Sequence, residues 1–364
     1  MTSITKPTLL LHQDRVRRNI ERMARKAKNS QVRFRPHFKT HLSADVGAWF
    51  RDYGVEAITV SSLEMAIYFA EHGWQDITVA FPVNILEIET INQLASQIQL
   101  NLLVESVETV DFLAKNISAS LNIWLKIDTG YGRTGLVWSE DPAIVAVAEK
   151  IMASPNLSIQ GVLTHSGHSY GARSAAEIQA IYEETVSRLS AVRATLQDTG
   201  LMSVELSIGD TPCCSVVEDL SGVDEIRPGN FVFYDVTQLH IGSCLEEDIG
   251  VAVACPVVAK HPERNTIVLY GGAVHHSKEF LEEDGKRNFG YVAPLTADGW
   301  GSRFPNAYVS GLSQEHGLIS VDNEMFAQIN VGDVLAILPI HSCLTANLMR
   351  SYLTVSGDTL EFNW

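Results

Sequence analysis

Short runs of aliphatic and β-branched residues recur along the first two thirds of the chain, at 32–38, 56–60, 77–81, 100–104, 121–128, 159–165, 204–208 and 223–227. Between them lie segments whose apolar positions repeat at helical spacing, among them 62–72, 85–97, 142–153 and 175–197. Several of these are entered through a Ser or Asp that can cap a helix. Strand and helix alternating in this way predict an α/β fold, a (β/α)8 barrel with functional residues at the C-terminal ends of its strands. After Phe231 the rhythm changes. Closely spaced β patterns at 248–259, 266–270, 317–320, 333–337 and 351–356 are broken by Gly, Pro and Asn, and no helix of ordinary length stands out. The pattern divides the chain into a barrel over 13–239 and a mainly β C-terminal domain over 240–364, which the N-terminal strand within 1–12 joins.

The length of 364 residues suits two domains or one large barrel with an addition. Hydrophobic residues make up 46% and charged residues 19%, enough for a sizeable core. Lys and Arg number 27 against 43 Asp and Glu, a net charge of −16. A field of that sign repels nucleic acid and anionic lipid, so neither is an expected partner, and solubility is the plainer reading of the excess acid. No apolar run of about 18 residues predicts a membrane span. Residues 1–11 lack the regions of a signal peptide. The five cysteines are odd in number and sparse, unlike a disulfide scaffold, which makes the reducing cytoplasm the expected location.

The most unusual stretch is Arg33-Phe34-Arg35-Pro36-His37-Phe38-Lys39-Thr40-His41. If it is the first strand running into its loop, Arg33, Arg35, His37, Lys39 and His41 share one face. Inside a barrel such a face demands an anionic partner; on an edge strand it is merely solvated. Lys39, at the functional end of the strand, favours the first reading. A lysine there can form a Schiff base, and the phosphate of pyridoxal phosphate (PLP) is the expected anion.

Arg35-Pro-His-Phe-Lys39-Thr-His41 resembles the PLP-lysine motif of the D-serine dehydratase and D-threonine aldolase family, which belongs with alanine racemase among the barrel-type, fold type III PLP enzymes. The resemblance implies that Lys39 holds the cofactor covalently. Four further segments follow in family order. Lys126-Ile-Asp128-Thr-Gly130-Tyr-Gly132-Arg133 is similar to the segment whose arginine approaches the cofactor's phenolic oxygen, and Thr164-His165-Ser-Gly-His168-Ser-Tyr170 to the one whose histidine packs on the pyridine ring. Ser207-Ile-Gly209-Asp210-Thr211-Pro212 resembles the phosphate turn, Gly209 and Thr211 being the implied donors. Asp210 is out of character beside a phosphate: either it turns outward and caps the next helix, or the assignment is loose by a residue. In Glu225-Ile-Arg227-Pro-Gly229-Asn230-Phe-Val-Phe-Tyr234, Gly229 and Asn230 are further implied phosphate donors and Tyr234 a further cofactor contact. Arg227 or Tyr170 is implied to face the pyridine nitrogen.

His341-Ser342-Cys343 places an imidazole and a thiol at i and i+2, which on an extended segment point to one side and can share an ion. Its surroundings resemble the zinc motif of D-serine dehydratase; aldolases of the family show His-x-Asp there, and Cys343 as the softer ligand favours Zn2+. His275, His276 and His316 could line the mouth of the site or stand behind the metal, or belong to ordinary turns. Together the resemblance implies a PLP- and metal-dependent lyase acting on D-3-hydroxy amino acids, eliminating water to give a 2-oxo acid and ammonia. Retro-aldol cleavage to glycine and an aldehyde is the runner-up, followed by an amino acid racemase or a non-enzymatic PLP carrier. It also implies a homodimer with both subunits at each active site.

Overall fold

All eight apolar runs of the first two thirds form parallel strands: Arg33–Phe34, Ala57–Val60, Asp76–Pro82, Gln99–Val104, Leu121–Asp128, Leu157–Leu163, Glu205–Ile208 and Glu225–Ile226. These belong to a computed structural model that describes residues 4–362; the expected outer limits at residues 1 and 364 lie outside the described residues. From the second strand on, each pairs with the next in the chain, the eighth pairs with the first, and a bridge between His37 and Thr59 links the first to the second, nearly closing a barrel. Ile77 lies between Ile58 and Leu100 of the flanking strands, and Leu103, Trp124 and Leu163 form a buried cluster. Gly161 is required where the sixth strand meets the seventh, because a Cβ there would lie 2.1 Å from the carbonyl oxygen of Glu205. The intervening helices start where the sequence places caps. The hydroxyls of Ser62, Ser106 and Ser174 accept from the N–H groups of Met65, Thr109 and Glu177, opening Leu63–Glu71, Val107–Asn116 and Ala175–Asp198.

The charged stretch at the first strand departs from expectation. Only Arg33–Phe34 joins the ladder, so the two-residue alternation does not carry through to Lys39 and His41. Carboxylates are the anions that Arg33 and Arg35 meet. Glu225, fully buried, accepts from Arg33 Nε at 2.6 Å, Arg35 Nε at 2.7 Å and Ser207 Oγ at 2.7 Å. Arg35 also grips Asp76 with both terminal nitrogens, at 2.6 and 3.0 Å. Burial pushes the Glu225 carboxyl up, but Arg35 and Arg33 outweigh it and hold it below its usual range.

The chain groups into two compact units. Residues 21–39 and 48–229 make up the barrel unit; residues 4–20, 40–47 and 230–362 make up the other. In the second unit, Val251–His261, Thr266–Tyr270, His316–Ser320, Tyr308–Leu312, Gly290–Thr296 and Val334–Pro339 pair in a closed antiparallel ring. The N-terminal strand Thr8–Leu11 adds to Val251–His261 antiparallel and to Ser351–Thr354 parallel. Leu9, Leu10 and Leu11 are buried there. Helix also occurs here, against the expectation from the pattern: Ser342–Met349 runs for 8 residues. Its buried positions are Ser342, Cys343, Thr345 and Ala346, too small and polar to show as an apolar stripe.

Candidate functional site

Phe38 is the anchor that presents Lys39. Its ring is buried among Phe50, Phe69 and Trp74, with centroids 4.9, 5.0 and 5.1 Å away, so the next residue emerges at a fixed point past the end of the first strand. Lys39 itself is exposed. His165 follows the sixth strand, and its imidazole is pushed down to about 3 by burial, then by the neighbouring charges of Lys39, Arg133 and Arg227. Those electrostatic contacts bring four of the expected residues to one end of the barrel. His165 Nδ1 lies 2.9 Å from the Gly209 carbonyl, which can only accept, so the proton of this neutral ring sits on Nδ1.

Arg133 rides on a loop built around Asp128. The Asp128 carboxylate takes the N–H groups of Gly130, Tyr131 and Gly132 at 2.9, 2.9 and 3.1 Å. Gly135, at φ 112°, lets the loop return to within a Cβ's width of the Asp128 backbone. Arg133 stacks over Tyr131, which in turn meets His165 edge-on. Tyr131 and Lys126 are the two residues of this cluster that the motif reading passed over as site residues. Lys126 is 6% exposed and is pushed down to about 8 by burial and then by Arg227 and Arg133. The signal for it was a charge inside an otherwise apolar strand.

After the seventh strand, Asp210 caps the helix Thr211–Val216, accepting from Cys213 N at 2.9 Å and Ser169 Oγ at 2.8 Å. Of the two readings left open, capping is the one found, although the side chain turns inward and is buried, and burial pushes its carboxyl up. The adjoining Thr211 hydroxyl is buried and has no partner among the described residues. Gly209 packs against Arg227, where a Cβ would meet Nη1 at 2.8 Å. An orphaned hydroxyl beside a bare glycine backbone fits an incoming anion such as a phosphate. Arg227, pushed down to about 10 by burial, donates to Ser207 Oγ at 2.7 Å and to the Thr164 carbonyl at 2.6 Å. Tyr170 stands 6.1 Å from His165 between ring centroids, and its hydroxyl accepts from Thr211 N at 3.5 Å. Gly229 is buried just beyond the eighth strand.

The remaining expected residues lie in the second unit. Tyr234 is buried at φ 47°, a left-handed conformation rare for a bulky residue. The Asn230 amide donates to Asp235 at 2.6 Å, to Ser342 at 3.1 Å and to Cys343 Sγ at 3.6 Å, so its side-chain N–H groups are engaged within the second unit. His341 and Cys343 are not on one extended segment as expected. His341 is the extended residue before the helix and Cys343 lies in its first turn, yet the two side chains still meet through a hydrogen bond. The Cys343 sulfur is also 3.3 Å from Thr40 Oγ1. Asp235 fixes the start of the helix by accepting from Ser342 N at 3.0 Å. Burial opposes charge on His341, but Cys343 and Glu279 overcome it and push the imidazole up to about 11. A thiol and a carboxylate meet on one imidazole here, and an N,S donor pair suits a borderline-soft metal. Among the described residues, no cluster of three or more His, Cys, Asp or Glu could hold a metal ion.

Residues 11–236 match the family model of the alanine racemase N-terminal domain, and residues 250–355 that of a putative serine dehydratase domain. The chain is 28% identical over 373 residues to a D-threo-3-hydroxyaspartate dehydratase of Delftia sp., covering 100% of this chain and 97% of that one. The solved structure of that dehydratase has a TM-score of 0.92, covering 100% and 99% of the two chains. A second structure of it, with one cysteine replaced by alanine, is a metal-free form; a third has a histidine replaced, two positions before that cysteine. A D-serine dehydratase of Dictyostelium discoideum is 29% identical over 394 residues, covering 100% and 96%. A 3-hydroxy-D-aspartate aldolase of Paracoccus denitrificans is 26% identical over 380 residues, covering 100% and 92%. With the first model spanning well over half its length, this chain belongs to the alanine racemase N-terminal domain family, in the branch that carries a serine dehydratase-type C-terminal domain.

Proposed function

We propose that this protein is a PLP-dependent lyase that removes water from a D-3-hydroxy amino acid, yielding a 2-oxo acid and ammonia, with a divalent metal at His341 and Cys343. The observation that carries the reading is the cluster at the barrel end: an exposed lysine, a neutral histidine and two arginines, beside a buried threonine hydroxyl without a partner. When bound, PLP supplies a sink for the electron pair left at Cα. Lys39 would hold the cofactor, and its Nζ, when free, would take the Cα proton. Gly209, Thr211 and Gly229 receive the phosphate. His165, neutral with its proton on Nδ1, would lie against the cofactor ring without adding charge. Ser207 and the Thr164 carbonyl hold the Arg227 guanidinium in place.

Hydroxide is a poor leaving group, and an electron sink at Cα does nothing for charge on the β-oxygen. A metal at His341 and Cys343 supplies Lewis acidity there. The thiolate favours Zn2+ over harder ions. The replaced cysteine and histidine of the Delftia dehydratase share the spacing of His341 and Cys343, which supports the assignment. Retro-aldol cleavage uses the same hydroxyl and is favoured by the aldolase relative. Cys343 is the residue that tells against it, since family aldolases resemble this site with an aspartate. Chelator treatment is expected to abolish dehydration while leaving the visible absorption of bound PLP intact. Loss of the PLP band together with the metal would show that the metal serves cofactor binding instead.

A further inference from the structure

The two-ligand site leaves a question of orientation. An imidazole can offer either ring nitrogen, and a pair of ligands without a third fixes an ion poorly unless each is held from behind. Cys343 has such support in Thr40 and Asn230. For His341 it comes from a residue outside the helix: Glu279 Oε2 lies 2.6 Å from His341 Nδ1.

Several features of the chain converge on that contact. Glu279 follows the short helix Ala273–His276, and the Thr345 hydroxyl, on the helix that carries Cys343, donates to the His276 carbonyl at 3.3 Å. The segment before Glu279 is thus tied to the helix whose start His341 caps. Between the two, Ser277 adopts φ 72° and ψ −177°, a region that side-chain-bearing residues almost never occupy and that is found at sites where local geometry is enforced. The Ser277 hydroxyl accepts from Glu279 N at 3.3 Å, closing the turn. The Glu279 side chain is 51% exposed, so it contributes little to packing, and among the described residues its one side-chain partner is His341.

We propose that Glu279 is the positioning residue of the metal pair: its carboxylate holds the Nδ1 proton of His341, so that Nε2 is the nitrogen offered to the ion beside Cys343. This rests on the reading of His341 and Cys343 as ligands. The two ring nitrogens point in divergent directions, so a carboxylate engaged at Nδ1 cannot bind the same ion as Nε2. Glu279 therefore acts through His341, raising its basicity and fixing its tautomer, and is not a third ligand.

The test measures Co2+ binding to full-length PLP-loaded protein, by competition with a chelator of known affinity and by the thiolate-to-cobalt and ligand-field absorption. Glu279→Ala is expected to weaken Co2+ binding roughly 10- to 100-fold and to alter the ligand-field bands. Its PLP band and far-ultraviolet circular dichroism should match the wild type. Glu279→Gln keeps an acceptor for Nδ1 without the charge and is expected to fall between the two, which is the partial rescue a positioning role requires. If Glu279→Ala does not fold, Glu279→Gln decides, and wild-type affinity and spectrum in it would overturn the proposal. Wild-type Co2+ binding in Glu279→Ala, with His341→Ala and Cys343→Ala both lacking metal, would also overturn it while leaving the ligands in place. Metal retained by His341→Ala and Cys343→Ala would remove the ligand assignment itself, and the proposal with it.

Discussion

Lys39 leaves the chain at a point set by the buried ring of Phe38 before it, with the neutral ring of His165 in its field. Borohydride reduction of the PLP-loaded protein is expected to fix the cofactor to the peptide containing Lys39. Label on the peptide of Lys126, the buried lysine of the same barrel, would contradict the assignment. Glu225 is the residue on which the opposite end of the charged stretch depends. Glu225→Gln leaves Arg35 buried with half its carboxylate partners, and is expected to cost about 3 to 5 kcal/mol in urea unfolding at neutral pH. The Glu225 carboxyl is held below 4.5 in the folded state, so its contribution is present above that pH and is lost as pH falls through the lowered value. The gap between wild type and variant should therefore narrow below about pH 4.5. The sequence favoured an anion over a solvated edge for Arg33 and Arg35, and the expected one was the cofactor phosphate. The carboxylates found instead, Glu225 and Asp76, lie far away in the chain and become neighbours only when the barrel forms.

At the scale of elements, the barrel was legible because strand and helix alternate with clear apolar periods and serine caps. Its first strand was overextended, since the ladder ends after Phe34 and the cofactor lysine sits on a turn anchored by aromatic packing. Phe38→Ala is expected to destabilise by about 3 to 5 kcal/mol and to loosen PLP retention, both readable by thermal unfolding and by the visible band on dilution. Strands in the second unit were partly hidden. Gly290–Thr296 contains Pro294 and Tyr308–Leu312 contains Gly311, residues that ordinarily mark breaks. The helix Ser342–Met349 was missed for a different reason: its inner face is made of Ser, Cys, Thr and Ala. The pairing of His341 with Cys343 was found on a wrong premise, and survives because an extended residue just before a helix can still face the first turn.

For the whole molecule, the sequence carried the order of motifs, and the two domain models match in that same order. Among the described residues, no helix is long and apolar enough to cross a membrane. We propose a homodimer, expected to appear in light scattering at twice the chain mass; a monomer at assay concentrations with full activity would refute it. The reaction itself is decided by one product analysis. D- and L-3-hydroxy amino acids are incubated with PLP-loaded, metal-replete protein, and 2-oxo acid, ammonia, glycine and aldehyde are all quantified. Dehydration is expected to give 2-oxo acid and ammonia in equal amounts, from D substrates alone and only with metal present. Glycine and aldehyde as the main products, or water eliminated at full rate by protein shown by elemental analysis to hold no metal, would contradict it.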